Sequence, residues 1–201
     1  MFRVGLTGGL ASGKSFVGKG LANLGCLLIK ADELGRAVQE PGAEAYDGIV
    51  SEFGREILDD DGRIARRRLG AIVFQDPERL KRLNALVHPY VHERQRQIEE
   101  EYFRSHTDGI AVTEAAILIE TGSYRDYDRL IVATCSPEQQ VERAMARDNL
   151  TREEVLDRMR QQMPLSEKVK YADYVIDTSG SKADTLAQVR AVYESLRSLS
   201  V

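Results

Sequence analysis

Five short apolar runs punctuate the chain, and the patterns between them lay out its architecture. Phe2-Arg3-Val4-Gly5-Leu6 alternates large apolar residues, as a half-buried or central strand does. Residues 26–31, 109–113, 130–133 and 174–176 are apolar without clean alternation, the pattern of parallel strands covered on both faces. Helical periodicity fills the intervals. Phe16, Val17, Gly20, Leu21 and Leu24 give residues 15–24 an apolar face that Gly25 ends. Tyr46, Ile49, Val50 and Phe53 repeat at i, i+3, i+4 and i+7. Asp59-Asp60-Asp61-Gly62 reads as a turn, and Leu69, Ile72 and Val73 mark the next helix. Asp76 before Pro77 is an N-cap with proline at N1, opening a helix through Leu80, Leu83, Leu86 and Val87. Pro89 is expected to start a separate polar helix that runs to about Arg104.

The stretch from Glu33 to Asp108 therefore lacks a strong strand, and it is far longer than a usual crossover. It is expected to be an inserted helical cap over the sheet. Further on, Ser136-Pro137-Glu138 opens a helix and Thr151 with Glu154 forms a capping box. The closing helix is expected to bury Leu186, Val189, Tyr193 and Leu196 along one face. The alternation predicts one α/β domain in three layers around a five-stranded parallel sheet. Its core would comprise residues 1–32, 109–135 and 172–201, its helical insert residues 33–108, and a further helical segment residues 136–171.

Between the first strand and the first helix stands Gly8-Gly9-Leu10-Ala11-Ser12-Gly13-Lys14-Ser15, which fits the P-loop pattern. The glycines let backbone N–H groups curl around phosphate oxygens, and the helix N-terminus adds a favourable dipole. In such a loop Lys14 reaches the β- and γ-phosphates and the Ser15 hydroxyl ligates Mg²⁺. Asp32 follows the second strand at the carboxyl end of the sheet, where sites of parallel sheets lie. It can accept a proton from a substrate hydroxyl, or it can cap a helix starting at Glu33. Asp32-Glu33-Leu34-Gly35 also matches a GTPase switch element, but no guanine-selecting Asn-Lys-x-Asp follows, so that reading falls. Arg143 and Arg147 share a helix face and can clamp phosphates or simply be solvated. His88 and His92 lie four apart without a third ligand, which makes a pocket or surface histidine the default over a metal pair.

Composition narrows the partners. The 201 residues carry a net charge of -4, which gives no general attraction to nucleic acid or membrane. No apolar run approaches membrane length and no signal peptide precedes the first strand, so a cytoplasmic protein is expected. Cys26 and Cys135 have no metal-type spacing and are expected to be buried free thiols.

Over essentially its whole length the sequence resembles the dephospho-CoA kinase family. The resemblance rests on residues 4–9 with Ser12-Gly13-Lys14-Ser15, Ala31-Asp32 with Arg36, and Glu40-Pro41-Gly42. It continues through residues 84–89, Ile117-Leu118-Ile119-Glu120, Arg143 with Arg147-Asp148, residues 158–162, and residues 172–177. The resemblance implies a nucleoside-monophosphate-kinase-like fold with a five-stranded core, a helical CoA-binding insert and a lid at about 136–171. It implies ATP with Mg²⁺, and phosphorylation of the ribose 3′-hydroxyl of dephospho-CoA in the last step of coenzyme A synthesis. Asp32 is then the general base and Lys14 the second catalytic group. The ATP-binding residues are Gly8, Ala11, Ser12, Gly13, Lys14, Ser15 and Phe16 with Arg143 and Arg147. Arg36 and His88 meet the acceptor, and Ser15 meets the metal. ATP and dephospho-CoA are the implied partners, with no nucleic acid, membrane or protein partner. Four departures stand out: Lys30 replaces an acid, Phe16 a threonine and Ala11 a glycine, while Glu114 stands where aspartate is common and can substitute for it. Two other readings retain the loop: a kinase for a different nucleoside or nucleotide acceptor, or a non-catalytic nucleotide-binding protein.

Overall fold

A computed structural model describes residues 1–200. In chain order the elements are β1 (Phe2–Gly8), α1 (Lys14–Asn23), β2 (Leu27–Lys30), α2 (Ala31–Ala37), α3 (Tyr46–Phe53), α4 (Arg66–Val73), α5 (Pro77–Ser105), β3 (Ile110–Glu114), β4 (Arg129–Thr134), α6 (Pro137–Asp148), α7 (Arg152–Arg160), α8 (Leu165–Lys168), β5 (Tyr174–Asp177) and α9 (Lys182–Leu199). All five predicted strands form, and they pair in parallel in the order β2-β3-β1-β4-β5. The chain leaves β1 towards one edge of the sheet and leaves β4 towards the other. Ligands of open parallel sheets bind at such a switch, outside the carboxyl ends of the strands.

Two compact units make up the chain, one of residues 1–30 with 102–200 and the other Ala31–Glu101. The first is built on the sheet. Val17 and Leu21 of α1 and Val189, Val192 and Leu196 of α9 are buried against Val4, Leu6, Val112 and Ile131 of the strands. Thr185, Val189, Val192 and Leu196 are the buried positions of α9. Leu186, expected on that face, is instead 44% exposed. One residue of helix turns a side chain by about 100°, and Thr185 takes the inward place because its hydroxyl is satisfied by the Ser181 carbonyl.

The second unit has its own apolar centre of Val38, Ile49, Phe53, Ile57, Leu69, Val73 and Val87. Its predicted helices form, and Asp76 Oδ1 accepts from the N–H groups of Glu78 and Arg79 as the cap reading requires. Pro89 does not open a new helix: α5 runs unbroken from Pro77 to Ser105. A proline inside a helix loses one backbone bond and strains the preceding turn, roughly 3 kcal/mol. Burying Val87 and packing Val91 on either side of it in the same cluster offsets that cost. The insert also ends earlier than residue 108, because Tyr102 bonds the Gly25 carbonyl and Phe103 is buried, both in the sheet unit. Among the described residues no helix is long and apolar enough to cross a membrane.

Candidate active site

The loop after β1 owes its shape to backbone conformations that few side chains permit. Gly13 has φ +86°, and a Cβ there would lie 2.9 Å from the Thr178 hydroxyl and methyl. A Cβ on Gly8 would meet the Ala133 carbonyl oxygen at 2.5 Å, so the central strand must end on glycine. Ala11 adopts φ +53° without the freedom of glycine, a strained position for an L-residue. Gly13 opens α1 without a side-chain cap, and the first turn of α1 contains no acidic residue. That leaves the backbone N–H groups of the helix N-terminus without a side-chain cap of their own, an arrangement suited to an anion.

Beneath this helix start stands Glu114, at the end of β3. The carboxylate is buried, and its Oε1 accepts the Ser15 hydroxyl hydrogen at 2.6 Å. Its Oε2 is buried with no hydrogen-bond partner among the described residues, and so is Ser12 Oγ inside the loop. Buried polar atoms are almost always satisfied, so two orphans at one glycine loop point to a missing polar ligand. A carboxylate oxygen beside a serine hydroxyl is the donor set that Mg²⁺ takes when phosphates and water supply the rest. Among the described residues no three His, Cys, Asp or Glu side chains gather into a metal cage. A magnesium ion that arrives with its nucleotide needs none.

The chain is similar to known proteins over nearly its whole length. The sequence profile of the dephospho-CoA kinase family matches residues 2–184. The dephospho-CoA kinase of Aquifex aeolicus is 41% identical over 98% of this chain and 98% of its own. A crystal structure from Thermus thermophilus superposes with a TM-score of 0.81 at 35% identity, covering 96% of this chain and 97% of that one. The dephospho-CoA kinase of Campylobacter jejuni superposes at 0.68 with 27% identity, covering 99% and 98%. The chain belongs to the dephospho-CoA kinase family.

Within this kinase fold the predicted residues fall into separate groups. Gly8, Ala11, Ser12, Gly13, Lys14, Ser15 and half-buried Phe16 form the loop and the first turn of α1. Arg143 on α6 joins them indirectly. Its guanidinium donates to the Thr178 hydroxyl at 3.1 Å and the Thr178 carbonyl at 2.8 Å, while that hydroxyl donates to the Ser12 carbonyl at 2.9 Å. Arg147 is occupied elsewhere, in a two-pronged pair with Asp148 at 2.8 Å for both bonds. The hydrogen bonds from Arg147, and to a smaller extent its charge, hold the Asp148 carboxyl below its usual range.

Asp32, Arg36 and His88 belong to the second unit. Because α2 begins at Ala31, directly after β2, Asp32 lies inside the first helical turn and does not cap a helix from Glu33. An acid at that point also complements the helix dipole. Arg36 is exposed one turn later. His88 is half-buried, with its ring 6.1 Å from that of His92 in a T-shaped pair. Burial first, and His92 second, lower its pKa.

Three residues around the loop escaped the sequence reading: Gln140, Lys168 and Thr178 are all buried. Lys168 sits between Glu167 and Lys170 in a polar stretch, which reads as a solvated face. Nothing in the local pattern distinguishes it from its exposed neighbours. Glu114 carries a legible signal, an acid closing an apolar strand, which the carboxyl-end rule singles out.

Proposed function

We propose that this chain transfers the γ-phosphoryl group of ATP to the ribose 3′-hydroxyl of dephospho-CoA, giving coenzyme A and ADP as the closing step of coenzyme A synthesis. The observation that carries the reading is the bond from Ser15 to buried Glu114, with the carboxylate's second oxygen unpartnered at the P-loop, in a chain related over nearly its whole length to dephospho-CoA kinases.

The loop N–H groups and the α1 N-terminus hold the phosphate chain, and Lys14 compensates the charge on the transferred group. Ser15 and Glu114 would hold Mg²⁺, which would supply positive charge against the charge developing on the transferred group. Phosphoryl transfer of this kind needs positioning and electrostatics more than covalent chemistry. Asp32 accepts the proton from the 3′-hydroxyl as its oxygen attacks phosphorus. What supports that role is its place in the chain, two residues beyond Lys30, whose Cα pairs with Glu114 across β2 and β3. Arg36 and His88 contact the acceptor. Arg143 acts at the nucleotide from α6. Arg147 joins it by exchanging Asp148 for phosphate.

A coupled assay for ADP release, run with ATP and Mg²⁺ in the presence and absence of dephospho-CoA, tests the reading. ADP release should depend on dephospho-CoA and stop when it is consumed. Hydrolysis independent of acceptor, or turnover of other nucleosides in place of dephospho-CoA, would refute it.

A further inference from the structure

A glycine loop binds phosphate with its N–H groups only if its carbonyl oxygens face the other way. In this protein the carbonyls of Gly8, Gly9, Leu10, Ser12 and Gly13 are held by named donors. Gly9 accepts from the Ser12 N–H at 3.3 Å, and Gly13 accepts from Phe16 and Val17 at 3.0 and 3.1 Å, all within the loop and its helix. Those of Gly8, Leu10 and Ser12 are held from outside. Gln140 Nε2 donates to the Leu10 carbonyl at 2.7 Å. The Thr178 hydroxyl donates to the Ser12 carbonyl at 2.9 Å. Lys168 Nζ lies 3.4 Å from the Gly8 carbonyl. All three side chains are more than nine-tenths buried, and Lys168 is fully so.

We infer that Gln140, Thr178 and Lys168 are positioning residues that clamp the P-loop carbonyls outward, so that the phosphate-facing N–H groups are set before nucleotide arrives. The Gln140 and Thr178 contacts are close. A Cβ on Gly9 would collide with Gln140 Nε2, and one on Gly13 would collide with Thr178. Lys168 serves more than the loop. Its ammonium donates to the Ala116 carbonyl at 2.6 Å and pairs with Glu120 at 2.8 Å, and Glu120 also accepts the Met163 N–H at 3.0 Å. One buried cation thus joins the end of β1, the segment after β3 and the segment between α7 and α8. Leu10 and Ala11 complete the seat by packing on Val141, Ala144 and Val155. The segment 136–171 therefore does more than carry arginines, since Gln140 and Lys168 shape the loop from behind. A preorganised donor set spends no binding energy on reorganisation, which is why its loss weakens phosphate binding in particular.

The inference rests on the proposed function only in requiring that a phosphate chain enters the loop. Gln140→Met removes one donor at nearly constant shape, Thr178→Val removes another together with an acceptor of Arg143, and Thr178→Ser keeps the hydroxyl while losing the methyl. ADP and adenosine binding are measured by calorimetry, with Tm recorded for each variant. Gln140→Met and Thr178→Val should each weaken ADP about tenfold, the loss expected for one buried donor. Thr178→Ser should stay within about threefold of the parent, because the bond persists. Adenosine, without phosphates, should bind all four proteins alike. Parental ADP affinity in Gln140→Met and Thr178→Val would overturn the clamp, as would a Thr178→Ser loss equal to that of Thr178→Val. Should Gln140→Met fail to fold, Thr178→Val is measured also in an Arg143→Met background, because the Thr178 hydroxyl accepts from Arg143 as well: a loss that persists there supports the clamp, and one that vanishes there overturns it. Dephospho-CoA turnover by the parent protein is assayed separately. Its absence beside an intact ADP effect would sink the proposed function and leave the clamp standing.

Discussion

Replacing Glu114 by glutamine separates what the fold needs from what the nucleotide needs. Glu114 Oε1 accepts from Ser15 at 2.6 Å, and Oε2 is buried without a partner. An amide of the same shape keeps the bond from Ser15 and removes a buried charge, so the nucleotide-free variant should be at least as stable as the parent. Its loss should appear only with Mg²⁺ and nucleotide together. Bonds to a charged group contribute about 1.5–3 kcal/mol, so the affinity for Mg·ATP should fall by roughly 10- to 150-fold, with about 30-fold as the central value. At a ligand concentration of about 100 times the parental Kd, binding stabilises the parent by about 2.7 kcal/mol. At the same concentration a 30-fold weaker variant gains only about 0.9 kcal/mol. For a chain of this size about 2–4 °C of Tm accompanies each kcal/mol, so Mg·ATP should raise Tm by roughly 5–11 °C in the parent and 2–4 °C in the variant. Differential scanning fluorimetry with ATP plus EDTA and with ATP plus Mg²⁺ reads both increments. Equal Mg²⁺-dependent increments in the two proteins would refute the assignment of Glu114 to the metal.

Asp32→Asn should lower kcat by about 10²–10⁴, the range for a positioned general base, with ADP affinity unchanged; near-normal turnover in the coupled assay would remove Asp32 from the mechanism. Ala11→Gly relieves φ +53° but frees the unfolded chain and loses a methyl packed near Val141, so the net gain should be small, up to about 1 kcal/mol by urea unfolding. A destabilised Ala11→Gly protein would show that the methyl contact outweighs the strain. Because burial lowers the His88 pKa, the unfolded state binds that proton more tightly. The stability held by neutral His88 is full above its unfolded pKa of about 6.5 and is lost as pH falls through the window down to the folded value. His88→Gln should therefore flatten the decline in urea midpoint between about pH 7.5 and 5.5 relative to the parent. An unchanged decline would place the acid sensitivity elsewhere.

Local order in the sequence was enough to determine much of this protein. The five strands, the caps at Asp76, Ser136 and Thr151, and the glycine loop were legible because each depends on neighbours within a turn or a strand. Glu114 was legible as an acid ending a strand. Its importance was not, since the 2.6 Å bond to Ser15 joins residues 99 positions apart. Pro89 and Leu186 mark the limits of local rules. Packing of Val87 and Val91 carried α5 through a proline, and satisfaction of a threonine hydroxyl turned a leucine outward. Only the tertiary structure decided the surroundings of the P-loop. Gln140, Lys168 and Thr178 have side chains that suit a solvated surface, and they reach the loop carbonyls across 130 to 166 residues of chain. A local pattern records which backbone can curl around phosphate. Which distant donors hold that curl in place depends on the order in which the strands are laid side by side.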